Sequence, residues 1–158
     1  MHVDDIAAMS QLVLDVCADD AVLALWVPNS LLSYGLRVVD QWGFTQKQVI
    51  TWVKTTKDNK KFAFGMGRYF RNCSESCLLA TRGRPKILNH SIRNVFTSPA
   101  LSHSTKPEVL QDMLEKLFEG EYLELFARRV RPKWVTAGNE CPTTLGEDIR
   151  DSLKRLAT

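Results

Sequence analysis

The chain has 158 residues, 44% hydrophobic and 25% charged, the composition of one ordinary soluble domain with enough apolar residues for a single core. No stretch approaches the run of about 18 apolar residues that spans a bilayer, and the opening residues lack a signal-peptide core, so a cytoplasmic protein without a membrane partner is expected. A net charge of +3 separates neither a nucleic-acid binder from a slightly basic enzyme nor the reverse, and local clustering has to decide.

Asp4 or Asp5 caps a predicted helix with Ile6, Met9, Val13 and Val16 near one face, broken by Asp19-Asp20. The apolar run at 21–27 reads as a buried strand. Pro28 and Asn29 open a second helix through Leu32, Leu36, Val39 and Trp42, stopped by Gly43, and residues 48–53 read as the next strand. Between 54 and 71 apolar periodicity disappears, which indicates a long exposed loop. Strands are expected at 76–81, closed by Arg82-Gly83-Arg84-Pro85, and at 94–97. Thr105-x-x-Glu108 reads as a capping box with Pro107 tolerated in the first turn, so a helix should start there, with Leu110, Met113, Leu114, Leu117 and Phe118 inward and Gly120 just past its end. Strands at 122–127 and 134–137 follow. Alternating elements with mostly apolar strands predict an α/β fold with a largely parallel sheet and ligands near the strands' carboxyl ends, and no linker divides the single domain expected over 1–158.

Chemistry-bearing residues cluster. Lys54, Lys57, Lys60, Lys61, Arg68 and Arg71 are opposed only by Asp58 and interleaved with Phe62, Phe64 and Tyr69, which supplies phosphate contacts beside stacking surfaces. A merely solvated charge run, with Phe62 and Phe64 pinning the loop to the core, is the plainer alternative. Arg128, Arg129, Arg131 and Lys133 form a second basic knot. Glu124 is a charge inside an apolar strand, costly unless it reaches a cleft or an ion pair with Arg128 or Arg129. Asn139, after Gly138, is either a ligand contact or a turn residue. Lys106 falls at a predicted helix N-terminus, where an anion is favoured, or is an exposed first-turn lysine. The cysteines Cys17, Cys73, Cys77 and Cys141 lack paired Cys-x-x-Cys spacing, so reduced thiols packed as small hydrophobes are expected and no metal site.

Several short segments then occur in a telling order: Leu25-Trp26-Val27, Trp42-Gly43-Phe44, Trp52-Val53-Lys54-Thr55, Arg71-Asn72 followed by Glu75, and Arg82-Gly83-Arg84-Pro85. They continue with His103-Ser104-Thr105-Lys106-Pro107, Leu123-Glu124-Leu125-Phe126-Ala127-Arg128-Arg129 and Trp134-Val135-Thr136-Ala137-Gly138-Asn139-Glu140. Their order and spacing resemble the MT-A70 family, S-adenosylmethionine-dependent methyltransferases that modify the N6 amine of adenine in RNA or DNA. The resemblance implies a Rossmann-like methyltransferase, a three-layer sandwich. It implies Lys106 beside the carboxylate of the cofactor's methionine moiety and Glu124, Arg128, Asn139 and Glu140 around its ribose and adenine; Glu140 stands where some members carry glutamine. Asn72 and Glu75 match a pattern near the target adenine, with a glutamate bonded to loop amides as the competing role for Glu75.

The family's catalytic signature, Asp-Pro-Pro-Trp, occurs nowhere in the chain, so no catalytic residue is assigned. The resemblance therefore implies a domain incomplete at its N-terminal side, lacking the strand that carries that signature. The function it implies is N6-adenine methylation of nucleic acid, DNA being favoured over RNA. Three explanations stay open: an internal start within a longer methyltransferase; a non-catalytic nucleic-acid-binding subunit supporting an active partner; or a remnant or unrelated nucleotide-binding domain. A homo- or hetero-oligomer is expected as a possible assembly.

Overall fold

In chain order the elements are α1 (Val3–Ala7), α2 (Ser10–Leu14), β1 (Ala21–Val27), a 3-10 turn (Asn29–Leu31), α3 (Leu32–Gln41), β2 (Thr45–Thr55), β3 (Ser74–Arg82), β4 (Val95–Pro99), α4 (Val109–Leu117), β5 (Tyr122–Leu125), β6 (Trp134–Ala137) and α5 (Ile149–Leu156). The computed structural model describes residues 1–102 and 105–158, so the expected His103-Ser104 pair lies outside the described residues. Two units form: Asp19–Phe118, and Met1–Ala18 with Glu119–Thr158. Among the described residues no helix is long and apolar enough to cross a membrane.

In the Asp19–Phe118 unit the strands form one sheet in the order β1-β3-β2-β4. β3 runs antiparallel to both β1 and β2, while β2 and β4 pair in parallel, so this sheet is mixed and not largely parallel as expected. The cause is the connection. β2 returns directly into β3 through the 56–73 loop, and a parallel pair would need a crossover, usually helical. Cys77, Leu78, Leu79 and Ala80 of β3 are all buried, as a central strand covered on both faces requires.

Helix α3 buries Gly35, Val38 and Val39, and leaves the expected inward residues Leu32 and Leu36 substantially exposed. Gly35 explains the shift: a Cβ there would stand 2.5 Å from Val27 Cγ2 and 3.3 Å from Leu78 Cδ1, so the helix lies tight on the Val27 and Leu78 face of the sheet. Gly43, at φ 76°, ends it in the left-handed conformation that glycine accepts without a Cβ clash.

Helix α4 starts later than its apparent capping box. Its N-cap is Glu108, without a side-chain cap bond, and the Thr105 hydroxyl instead meets Ser102 Oγ at 2.9 Å. Pro107 disfavours helical geometry at the residue before it, so Lys106 stands ahead of the helix and not in its first turn.

The other unit holds β5 and β6 as an in-register parallel pair, with the Tyr122 and Trp134 rings stacked 4.9 Å apart. The single N-terminal helix expected is two short ones. Its cap is His2, which accepts from Asp4 N while Asp5 Oδ2 accepts from His2 N at 3.0 Å. β5 stops sooner than expected because Phe126 turns to φ 59°. Ala7, Met9, Val13, Ala137, Ile149 and Leu153 are buried apolar residues of this unit.

Candidate functional site

Side chains two apart on a strand share a face, and so do residues paired across a ladder. Trp52 pairs with Glu75, and Trp26 with Cys77, so Trp26, Trp52, Lys54 and Glu75 stand together on the face away from α3. Lys106 Nζ donates to both Glu75 carboxylate oxygens, at 2.7 and 2.9 Å, and Lys54 Nζ lies 3.6 Å from Oε2. The Lys54 ammonium sits 5.1 Å from the Trp52 ring centre and that of Lys106 5.6 Å from Trp26, contacts that favour a cation over each indole. The indoles meet edge to face at 6.1 Å, and Trp52 Nε1 donates to Ser98 O at 2.9 Å. With side chains 17% exposed for Glu75, 27% for Lys54 and 30% for Lys106, this is a half-buried ion cluster. The partners of Glu75 are ammonium groups, not the loop amides that were its alternative. Lys54, expected among the phosphate contacts, joins this cluster; the alternation of Trp52 and Lys54 was the signal that could have placed it.

The 54–72 segment is built from its own hydrogen bonds. Thr56 N donates to Lys61 O and Ala63 N to Lys54 O, both at 2.9 Å, while Asp58 accepts from the Thr56 hydroxyl and from Lys60 N. Those two bonds hold the Asp58 carboxyl below its ordinary range. Farther out, Gly65 and Asn72 exchange backbone bonds at 2.9 and 3.1 Å, and Arg71 Nη1 donates to Gly67 O at 3.3 Å. Asn72 thus serves a hairpin. Lys57, Lys60, Lys61, Arg68 and Arg71 are exposed along this protrusion. Phe62 and Phe64 are exposed as well, so neither pins the loop to the core.

Because β5 and β6 are parallel and in register, both carboxyl ends leave at the same end of the pair, where ligands of open α/β sheets bind. Ala127 N donates to Ala137 O at 3.0 Å, and Gly138 leaves no room for a Cβ, which would run into the Ala127 carbonyl oxygen and amide nitrogen. The Thr144 hydroxyl accepts from Gly138 N at 2.8 Å and donates to Gly138 O at 2.9 Å. Cys141 N closes a turn onto Gly138 O at 3.0 Å, with Asn139 and Glu140 exposed at its crown. Arg128 Nε from the neighbouring loop lies 3.3 Å from Glu140 Oε2, with side chains 43% and 61% exposed. Arg128, Asn139 and Glu140 are therefore brought together, and Glu124 sits behind them on β5, level with Thr136. Lys106 belongs to the other unit.

Behind this turn Glu147 accepts from Ser152 Oγ at 2.7 Å and from Arg155 Nη2 at 3.0 Å, and Asp148 accepts from Arg150 N at 2.9 Å as the cap of α5. The Arg155 guanidinium, then the Ser152 hydroxyl, hold the Glu147 carboxyl below its ordinary range; the Arg150 side chain and amide do the same, more strongly, for Asp148. No group of three or more His, Cys, Asp or Glu side chains able to hold a metal occurs among the described residues. Cys77 and Cys141 are buried, and burial pushes the Cys77 thiol up to about 12.

Comparison with known proteins adds a family. The MT-A70 family model matches residues 2–140. The chain is 32% identical over 137 residues to the N(6)-adenosine-methyltransferase catalytic subunit METTL3 of Homo sapiens, covering 84% of this chain and 24% of that protein. Against the N(6)-adenosine-methyltransferase MT-A70-like protein of Drosophila melanogaster it is 29% identical over 127 residues, 77% of this chain and 21% of the relative. Against the N(6)-adenosine-methyltransferase non-catalytic subunit METTL14 of Xenopus tropicalis it is 28% identical over 138 residues, 78% and 30% respectively. The chain thus spans less than a third of the length of each of these curated relatives. With the ion cluster around Glu75 and the β5 and β6 exits all inside the matched span, the chain belongs to the MT-A70 family.

Proposed function

We propose that the chain is the part of an adenine-N6 methyltransferase that grips S-adenosylmethionine and nucleic acid. The reading rests above all on the Arg128 and Glu140 pair across the exits of two parallel strands, in a chain of this family. The donor set there suits the adenosyl half of the cofactor. A carboxylate accepts from vicinal ribose hydroxyls, the Asn139 amide both donates and accepts, and the guanidinium donates in a plane. More than half of the Glu140 side chain stays open to a ligand. S-adenosylmethionine, when bound, supplies the methyl group. In the Asp19–Phe118 unit, Lys106 is proposed for a ligand carboxylate, in competition with Glu75, and the Glu75 and Asn72 segment for the target adenine. Lys57, Lys60, Lys61, Arg68 and Arg71 are proposed for phosphates.

The relatives above are named for adenosine, a ribonucleoside, which favours RNA over the DNA expected from sequence. One observation favours a second reading. The Xenopus relative is named as a non-catalytic subunit, which supports a role of that kind beside an active partner.

Calorimetric titration with S-adenosylmethionine tests the first reading. The expected result is binding by the wild type and a loss of about 1.5–3 kcal/mol in Glu140→Ala, the range for a hydrogen bond to a charged group. A wild-type chain that ignores the cofactor but still binds RNA would transfer the assignment to the non-catalytic reading.

A further inference from the structure

Beyond its cations, the loop between β2 and β3 presents large apolar side chains to water. Phe62, Phe64, Met66, Tyr69 and Phe70 are 63–86% exposed, Tyr69 and Phe70 the most at 84% and 86%. Single exposed apolar residues need no explanation, but five within nine positions on a self-bonded protrusion do. The two outermost rings sit in the 65–72 hairpin, whose ends are tied by the Gly65 and Asn72 exchange. Gly67 has no space for a Cβ, which would strike Phe70 O and come within 3.0 Å of Asn72 Nδ2, so the turn is closed tightly behind the rings. The Arg68 guanidinium lies 5.5 Å from the Tyr69 ring centre.

The composition of this patch selects among ligands. A protein interface core is depleted in lysine, whereas here Lys57, Lys60, Lys61, Arg68 and Arg71 are interleaved with the rings and opposed only by Asp58. Alternating cations and aromatic faces are the means by which proteins follow a phosphate backbone while stacking on bases. In a duplex both faces of every base are already covered by neighbours, and only edges are open in the grooves. Rings such as Tyr69 and Phe70 find a partner face only where bases are unpaired.

We infer that the 65–72 hairpin is a stacking platform for unpaired bases, through which the chain selects single-stranded over duplex nucleic acid. This rests on the nucleic-acid reading proposed above and adds to it the element that sets strand preference. The lysines supply attraction blind to strandedness; Tyr69 and Phe70 supply the discrimination.

The test is fluorescence-anisotropy binding of the whole chain to an adenine-containing RNA of about 12 nucleotides, alone and annealed to its complement, across a salt series. The wild type should bind the single strand about tenfold or more tightly than the duplex, the effect expected for each stacked ring. Tyr69→Ala with Phe70→Ala should erase that preference and keep the salt slope and melting temperature, since both rings are outside the core. Tyr69→Trp with Phe70→Trp should retain the preference. Replacing Lys57, Lys60 and Lys61 by Gln should flatten the salt slope and leave the preference intact. Equal, salt-dependent binding of both forms by the wild type overturns the stacking inference alone, as does a preference that survives the double alanine change. No binding to either form overturns the nucleic-acid reading along with it. If sedimentation shows a wild-type dimer that the alanine variant loses while strand preference is unchanged, the rings belong to a protein contact and the inference falls.

Discussion

The two groups of polar residues are held by opposite means. Around Glu75 the side chains fix one another: a carboxylate between two ammonium groups, each over an indole, all less than a third exposed. At the exits of β5 and β6 it is the backbone that fixes the site, through Gly138 pressed on Ala127 and tied to Thr144, while the Arg128 and Glu140 side chains are 43% and 61% exposed. A site held by side chains is disrupted by changing a charge, and one held by backbone by adding a carbon. Charge substitutions at the second should then alter ligand binding and spare stability.

Four substitutions can break or sharpen that contrast. Gly138→Val should have the largest effect, about 3 kcal/mol of unfolding free energy by denaturant titration, because the obstructing atoms are backbone and cannot swing aside. Stability equal to wild type would mean the strand exits are not packed as described. Glu75→Gln keeps the shape and removes the anion from between Lys54 and Lys106; a loss of about 2 kcal/mol is expected, the scale of a charge-assisted bond in a half-buried setting. A near-neutral result there would show the cluster to be solvent-screened like any surface pair. Glu140→Ala should alter stability by less than about 0.5 kcal/mol, its pair with Arg128 being exposed. A larger loss would show that the side chains, too, hold the β5 and β6 exits.

The smallest effect is one of pH. Asp148 has its folded-state pKa lowered from the ordinary 3.8, first by the Arg150 side chain and then by the Arg150 amide, so its contribution is present above about pH 4 and is lost as pH falls toward the folded value. Thermal melts from pH 6 down to about pH 2 should show the wild type losing more stability than Asp148→Asn, which keeps a capping oxygen and cannot titrate there. Parallel curves would remove this carboxylate from the acid response.

The strands at 21–27 and 134–137 were legible because each is a short apolar or β-prone run with sharp punctuation, Asp19-Asp20 and Pro28 around one, Lys133 and Gly138 around the other. Strand direction was not, because the apolar pattern of 76–81 is the same whichever way β3 runs, and only the returning loop decides. Lys106 was legible as a polar residue of note, but its partner Glu75 lies 31 positions away, and spacing along a chain says nothing about contacts across a sheet. Helix α5 was missed although Asp148 caps it and Ile149, Ser152 and Leu153 are spaced to face inward. The residues of the β5 and β6 exits were visible as types, while their union at one turn depends on Gly138, whose role is apparent only from how close Ala127 comes.

The place of β3 has a consequence for how the molecule assembles. It follows β1 and β2 in the chain and yet lies between them, so neither can complete its pairing in this sheet until β3 is inserted. Trp26 and Trp52 meet across that gap, and their mutual contact reports closure of the sheet. An intrinsic fluorescence signal from this pair would therefore time the insertion of the middle strand, a slow step governed by long-range pairing and not by the local helices.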